Sequence, residues 1–140
     1  MTENQFPKIG VGVLIFKDGK VLFGKRKGKH APGVYSPPGG KMEHFESFAQ
    51  TVQREVGEEC GLEIENLKFL CIKNLKEYPP DHFVNLGFTA DWKSGEPQLL
   101  EPEKIESWNW YSLDRLPEPL FAMIPYYLEA IKTGKMFFDK

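Results

Sequence analysis

Three glutamates, Glu55, Glu58 and Glu59, stand in the segment "REVGEE" at spacings of i, i+3 and i+4. In a helix turning about 100° per residue, that spacing projects all three from one face. Phe48, Val52, Val56 and Cys60 recur every fourth residue and form the neighbouring apolar stripe, with Glu59 on its edge. Like charges so placed repel, and a carboxylate at a core edge loses hydration. The C-terminal end of a helix also disfavours anions. Two arrangements satisfy such a cluster. One is a solvated acidic face, relieved by an Arg54–Glu58 ion pair at i, i+4. The other is a bound divalent cation, Mg²⁺ or Mn²⁺, for which carboxylate oxygens are suitable hard ligands. The Gly39-Gly40 pair favours the second, because bare backbone approaches a ligand closely and a glycine carbonyl is a further oxygen ligand. Gly57 interrupts the cluster at a cost of about 1 kcal/mol relative to alanine, and only close packing at that face accounts for it.

The elements that must position these residues follow from local signals. A helix is expected over roughly Phe48 to Glu59, with Ser47 and Gln50 as a capping box and Gly61 as its stop. Upstream, "IGVGVLIF" and "VLFGKRK" read as a hairpin turning at Asp18-Gly19. The Pro- and Gly-rich "GKHAPGVYSPPGG" reads as loop or irregular strand. Downstream, "LEIENLKFLCIKNL", "HFVNLGFTADW" and "ESWNWYSL" read as strands, and "EYPPD" as a turn. The end, "LPEPLFAMIPYYLEAIKTG", reads as an apolar-faced helix that Pro125 either kinks or restarts. One central and one closing helix among strands imply an α/β/α layered domain with a mixed β-sheet, spanning residues 1–140 as a single unit.

Composition excludes several classes. A hydrophobic content of 41% with 14% aromatics fits a globular chain. The formal net charge of −2 offers no global attraction to nucleic acid or anionic lipid, so neither is an expected partner. An anionic substrate therefore has to be held by local cations. No stretch is apolar enough to span a membrane, and "MTENQFPKIG" lacks the basic segment and apolar run of a signal peptide. Cys60 and Cys71 lack metal-ligand spacing and read as buried free thiols of a cytoplasmic protein.

The segment Gly40 to Leu62 resembles the Nudix box, G-x5-E-x7-R-E-U-x-E-E-x-G-U with U aliphatic. It matches through Gly40, Glu46, Arg54, Glu55, Val56, Glu58, Glu59, Gly61 and Leu62. The flanking "VGVLIF", "PGG" and "EPEKIESWNWYSLDRLPEPLF" are similar to the branch of MutT-type nucleoside triphosphate pyrophosphohydrolases that clean oxidised or modified nucleotides. The resemblance implies a Nudix-type α/β/α sandwich and hydrolysis of a nucleoside diphosphate linked to a group X. It implies Mg²⁺ or Mn²⁺ held by Glu55, Glu58, Glu59 and the Gly40 carbonyl, with Glu103 of "EPEK" approaching from a loop. A metal so held neutralises phosphate charge and acidifies a bound water. Arg54 would orient the catalytic glutamate and Glu46 would support the loop–helix geometry. The role of base stays divided between Glu55 and the other glutamates. Arg26 would contact phosphate, Gly39 would admit the substrate, and Phe121 would line the base pocket. Lys25, Lys27 and Lys29 read as solvated, and Trp108 and Trp110 as core rather than base-stacking. A homodimer is the assembly that similar triphosphatases often form.

Three positions depart from that branch: Pro37 in place of leucine before "PGG", Phe45 in place of glycine, and Ala122 in place of an aromatic. They bear on the nucleotide rather than on the chemistry. The leading expectation is a small-molecule nucleoside triphosphate cut to monophosphate and pyrophosphate. Nucleotide sugars, ADP-ribose, dinucleoside polyphosphates and prenyl diphosphates are alternatives within the same chemistry. A ligand-sensing domain without catalysis is the alternative outside it.

Overall fold

The alternation in "IGVGVLIF" sets the layering of the molecule, whose computed structural model describes residues 6–140. Strand β1 (Lys8–Lys17) sends Val11, Val13 and Ile15 to one face and Leu14 to the other, and all four are buried. A strand apolar on both faces needs a helix on each. Helix α1 (Phe48–Cys60) covers the first face with Val52, Val56 and Cys60. Helix α2 (Ile124–Thr133) covers the second with Ile124, Tyr127 and Ala130. The result is the expected α/β/α sandwich.

The sheet is mixed. β2 (Lys20–Arg26), β3 (Tyr35–Ser36), β4 (Gly39–Lys41), β5 (Glu63–Leu75), β6 (Phe83–Ser94), β7 (Ile105–Ser112) and β8 (Phe137–Phe138) complete it. Its main path runs β3-β2-β1-β6-β5-β8, with β4 paired to β1 and β7 paired to β2. β1 and β6 run parallel, with Gly10 opposite Asn85, whereas β1–β4 and β5–β6 are antiparallel. The β1 register places Gly12 against Gly39 and Val11 against Gly40. That pairing brings the glycine loop to the sheet directly in front of α1.

Most local expectations hold. Asp18 and Gly19 make the hairpin turn, both with positive φ. Ser47 and Gln50 form the capping box, and Gly61 closes α1 in the left-handed conformation. Pro125 lies in the first turn of α2 and begins that helix rather than kinking it. Trp108 and Trp110 pack against the α1-side core. Cys60 and Cys71 are free and buried. Among the described residues, no helix is long and apolar enough to cross a membrane.

Three local readings need correction. Phe48 does not head the buried stripe: it is 53% exposed, and Thr51 is buried in its place. The reason is polar, since the Thr51 hydroxyl donates to Glu46 Oε1 and Ser47 O, both at 3.0 Å. The helix runs one residue further than expected, to Cys60. Gly57 is not closely packed, because a Cβ there would meet no atom within 4 Å. Gly57→Ala is therefore expected to raise unfolding free energy by about 1 kcal/mol in denaturant titration, with turnover unchanged. The "GKHAPGVYSPPGG" segment contributes the short strands β3 and β4, and β8 was not foreseen at all.

Candidate active site

Arg54 projects from the middle of α1 into a ring of acceptors. Its Nε and Nη2 grip Glu46 at 2.6 and 3.0 Å, while Nη1 donates to Glu55 at 2.6 Å and Glu58 at 2.9 Å. Nη2 also donates to the Lys41 carbonyl at 2.8 Å, tying the glycine strand to the helix. Glu46 is fixed further by the Glu43 N–H at 2.8 Å. Arg54, then the backbone N–H, pull the Glu46 carboxyl down to about 2, so it remains an anion. Arg54 is in turn held firmly protonated, chiefly by Glu46.

Glu59 is 8% exposed, and its Oε1 accepts the Gly39 N–H at 2.7 Å. Burial, with Glu55 and Glu101 adding like charge, pushes its carboxyl up to about 8. Glu55 is also raised, by burial first, with Glu58 and Glu101 adding to it against the pull of Arg54. Its Oε2 lies so close to Gly40 that a Cβ there would stand 1.9 Å away. Only glycine admits that carboxylate. Gly40→Ala is therefore expected to push Glu55 aside and cut kcat/KM by about a hundredfold, with an unchanged circular dichroism spectrum.

Of these groups, Gly39, Gly40, Arg54, Glu55 and Glu59 line a cleft of about 880 Å³. Arg26, Gly39, Gly40, Glu55, Glu58, Glu59, Glu103 and Phe121 all line it, so the structure brings together the residues singled out from the sequence. Within that set Glu58 differs, with a half-exposed side chain turned toward Arg54. The Arg54–Glu58 pair of the acidic-face reading thus exists, but alongside the desolvated pair Glu55 and Glu59. Of the basic residues read as solvated, Lys25 stays outside against Glu106 at 3.9 Å, whereas Lys27 and Lys29 line the cleft. Arg26 donates from Nε to His30 O at 3.2 Å and stacks its guanidinium 4.6 Å from the Phe121 ring centroid. Burial lowers its pKa, while Glu59 opposes that shift.

Glu101, which shares the "EPEK" loop with the favoured Glu103, is the loop carboxylate whose charge raises both Glu55 and Glu59. Other lining residues carried little signal in the sequence. His30, Asp81, Phe83 and Asn85 line the same cleft. The Tyr78 ring packs 5.0 Å from Phe121, and its hydroxyl accepts the Ala122 N–H at 2.9 Å. A polar Asn85 within the apolar "HFVNLG" was the one available signal.

The donor set fits a divalent cation. Glu55 and Glu59 are carboxylates deprived of water, Glu59 keeps one oxygen free of the backbone, and bare glycine backbone lies beside them. Among the described residues, no three acidic, histidine or cysteine side chains already converge at ligating distances. Glu58 in particular is turned to Arg54.

Comparison with known proteins agrees with this architecture. The model of the NUDIX domain matches residues 6–130. A NAD-capped RNA hydrolase NudC of Pseudomonas aeruginosa is 40% identical over 116 residues, covering 81% of this chain and 40% of that protein. Another of that name, from Stutzerimonas stutzeri, is 36% identical and is covered to 45% of its length. The chain thus spans less than half of these curated relatives. The crystal structure of a MutT NUDIX hydrolase from Burkholderia pseudomallei superposes with a TM-score of 0.84 at 35% identity, covering 90% of this chain and 98% of that one. A UDP-X diphosphatase shares the fold, at 18% identity and a TM-score of 0.73. Matched along most of its length by the NUDIX domain, with Gly40, Arg54, Glu55, Glu58 and Glu59 of the box lining one cleft, the chain belongs to the family of NUDIX hydrolases.

Proposed function

We propose that this chain hydrolyses the pyrophosphate linkage of a nucleotide, with a nucleoside triphosphate as the leading substrate and monophosphate plus pyrophosphate as products. One observation carries the reading: a single cleft is lined by the buried carboxylates, by Phe121, and by the Arg26 guanidinium beside that ring. Glu55, Glu59 and the Gly40 carbonyl would hold Mg²⁺ or Mn²⁺, with Glu58 and Glu101 or Glu103 completing the shell. When bound, the metal supplies charge neutralisation at phosphate and a more acidic water.

The chain's own residues do the rest. Arg26 faces an anion with a guanidinium whose partners here are neutral oxygens, which leaves charge to offer to phosphate. Arg54 holds Glu55 in one orientation, so it does not have to be ordered during reaction, whereas the half-exposed Glu58 would turn from Arg54 to join the metal. Burial raises the Glu55 carboxyl in the metal-free chain, a shift that a bound cation would oppose, and the role of base stays divided among the glutamates. Water is displaced from the Phe121 ring by the base itself.

A dinucleotide pyrophosphate is the second reading, favoured by the 40% identity to the NAD-capped RNA hydrolase of Pseudomonas aeruginosa. The net charge of −2 bears on binding along an RNA strand, not on a cap held in the cleft. Incubation with Mg²⁺ and a panel of nucleotides, followed by product identification, separates the two. Pyrophosphate from a triphosphate supports the first, and two monophosphates from a dinucleotide support the second. No turnover of any phosphorylated compound would leave a ligand-sensing domain.

A further inference from the structure

Asn85 of β6 is 3% exposed and lines the cleft beside Phe83. Its amide is fixed from behind. Tyr127 of α2 reaches the sheet through a gap left by two glycines: a Cβ at Gly12 or Gly87 would stand 2.7 Å from the tyrosine hydroxyl or ring. In that gap the Tyr127 hydroxyl donates to Asn85 Oδ1. A fully buried hydroxyl needs an acceptor for its proton, and Asn85 is its only partner among the described residues. Turning the amide over would face that proton with an amino group, so the carbonyl end is committed inward.

The Nδ2 amino group is then what Asn85 presents to the cleft. It has no hydrogen-bond partner among the described residues, and it is not sealed from solvent, since Trp108 Nε1 is the one buried polar side-chain atom left without a partner there. Gly10 keeps it uncovered, because a Cβ at Gly10 would stand 3.7 Å from Nδ2 and 3.4 Å from Phe83. Around this donor, His30 packs edge-on to Phe83 at 6.1 Å and to Phe121 at 5.9 Å. Aromatic walls around one fixed polar group suit a flat heterocycle.

Resting on the nucleotide reading above, we propose that Asn85 selects the nucleobase. Locked by Tyr127 as a hydrogen-bond donor, it matches a keto oxygen and opposes an exocyclic amino group. Guanine, hypoxanthine, uracil and thymine are then favoured over adenine and cytosine. A buried donor left facing another donor loses its hydrogen bond, which is worth about ten- to hundredfold in specificity.

The test compares kcat/KM for ITP against ATP, which share a purine and differ at the C6 oxygen or amino group, and for UTP against CTP. The wild type is expected to favour the keto member of each pair by about tenfold or more. Asn85→Asp still accepts from Tyr127 but offers the cleft only acceptors, and is expected to bring the ratios to one or below. Tyr127→Phe frees the amide to turn and is expected to shrink the ratios without reversing them, which keeps the proposal testable if the aspartate variant does not fold. Ratios near one in the wild type, or ratios unchanged in both folded variants, overturn it. If no nucleotide is hydrolysed, the functional reading falls separately. Calorimetric binding of IMP and AMP then decides Asn85, and equal affinities overturn its role.

Discussion

Glu59→Gln is expected to cost at least about a hundredfold in kcat/KM while making the metal-free protein more stable at neutral and alkaline pH. Both effects have one cause. The Glu59 carboxyl is buried at the edge of the α1 stripe beside Glu55, and this raises it from 4.5 to about 8 in the folded chain. Between those values the unfolded chain binds fewer protons at this group than the folded one. The group's contribution to stability is therefore complete below about 4.5, falls as pH rises, and is lost above about 8. Glutamine keeps the shape and can still accept from the Gly39 N–H, but it cannot ionise. The variant should unfold with a flatter pH dependence through that window, measured by thermal melts from pH 5 to 8. Added Mg²⁺ should raise the melting temperature of the wild type and leave the variant nearly unmoved. Full turnover in the variant with metal present would remove Glu59 from the site.

Arg54→Lys should be nearly as damaging, for a different reason. Lysine keeps the charge but not the planar fork that serves Glu46, Glu55, Glu58 and the Lys41 carbonyl together. Glu55 then loses its fixed orientation, and kcat/KM is expected to fall ten- to hundredfold. The loop ahead of α1 loses its tie to the helix, and unfolding free energy should drop modestly. That is less than for a fully buried pair, because the Arg54 side chain remains partly in water. The acid limb offers a second readout. Glu46 is depressed to about 2 mainly by Arg54, so its stabilising contribution is present above 4.5 and lost as pH falls toward 2. In the lysine variant that acid-induced loss should shrink, as followed by circular dichroism. Unchanged kinetics with an unchanged acid transition would show that the network does not position the glutamates.

The site's near half was readable because it is local. The i, i+3, i+4 glutamates, the Ser47–Gln50 cap and the Gly61 stop lie within one helix and its borders, where spacing alone dictates direction. Local reading failed where a competing contact decided the outcome. Thr51 displaced Phe48 from the core because Glu46 needed its hydroxyl, and no periodicity shows that. Of the two loop carboxylates the resemblance pointed to Glu103, whereas in the fold it is the charge of Glu101 that acts on Glu55 and Glu59.

By itself, then, the sequence determined the layered class, the acidic helix, the glycine approach and the family resemblance, all of which rest on fixed spacings along a few dozen residues. The tertiary structure alone decided which distant residues share the cleft. Asn85 meets Gly10 because β6 runs parallel to β1, and Tyr127 reaches Asn85 because two glycines of neighbouring strands leave a gap. It also decided which carboxylates are starved of water. Desolvation is a property of everything packed around a group, and a single chain segment does not contain that information.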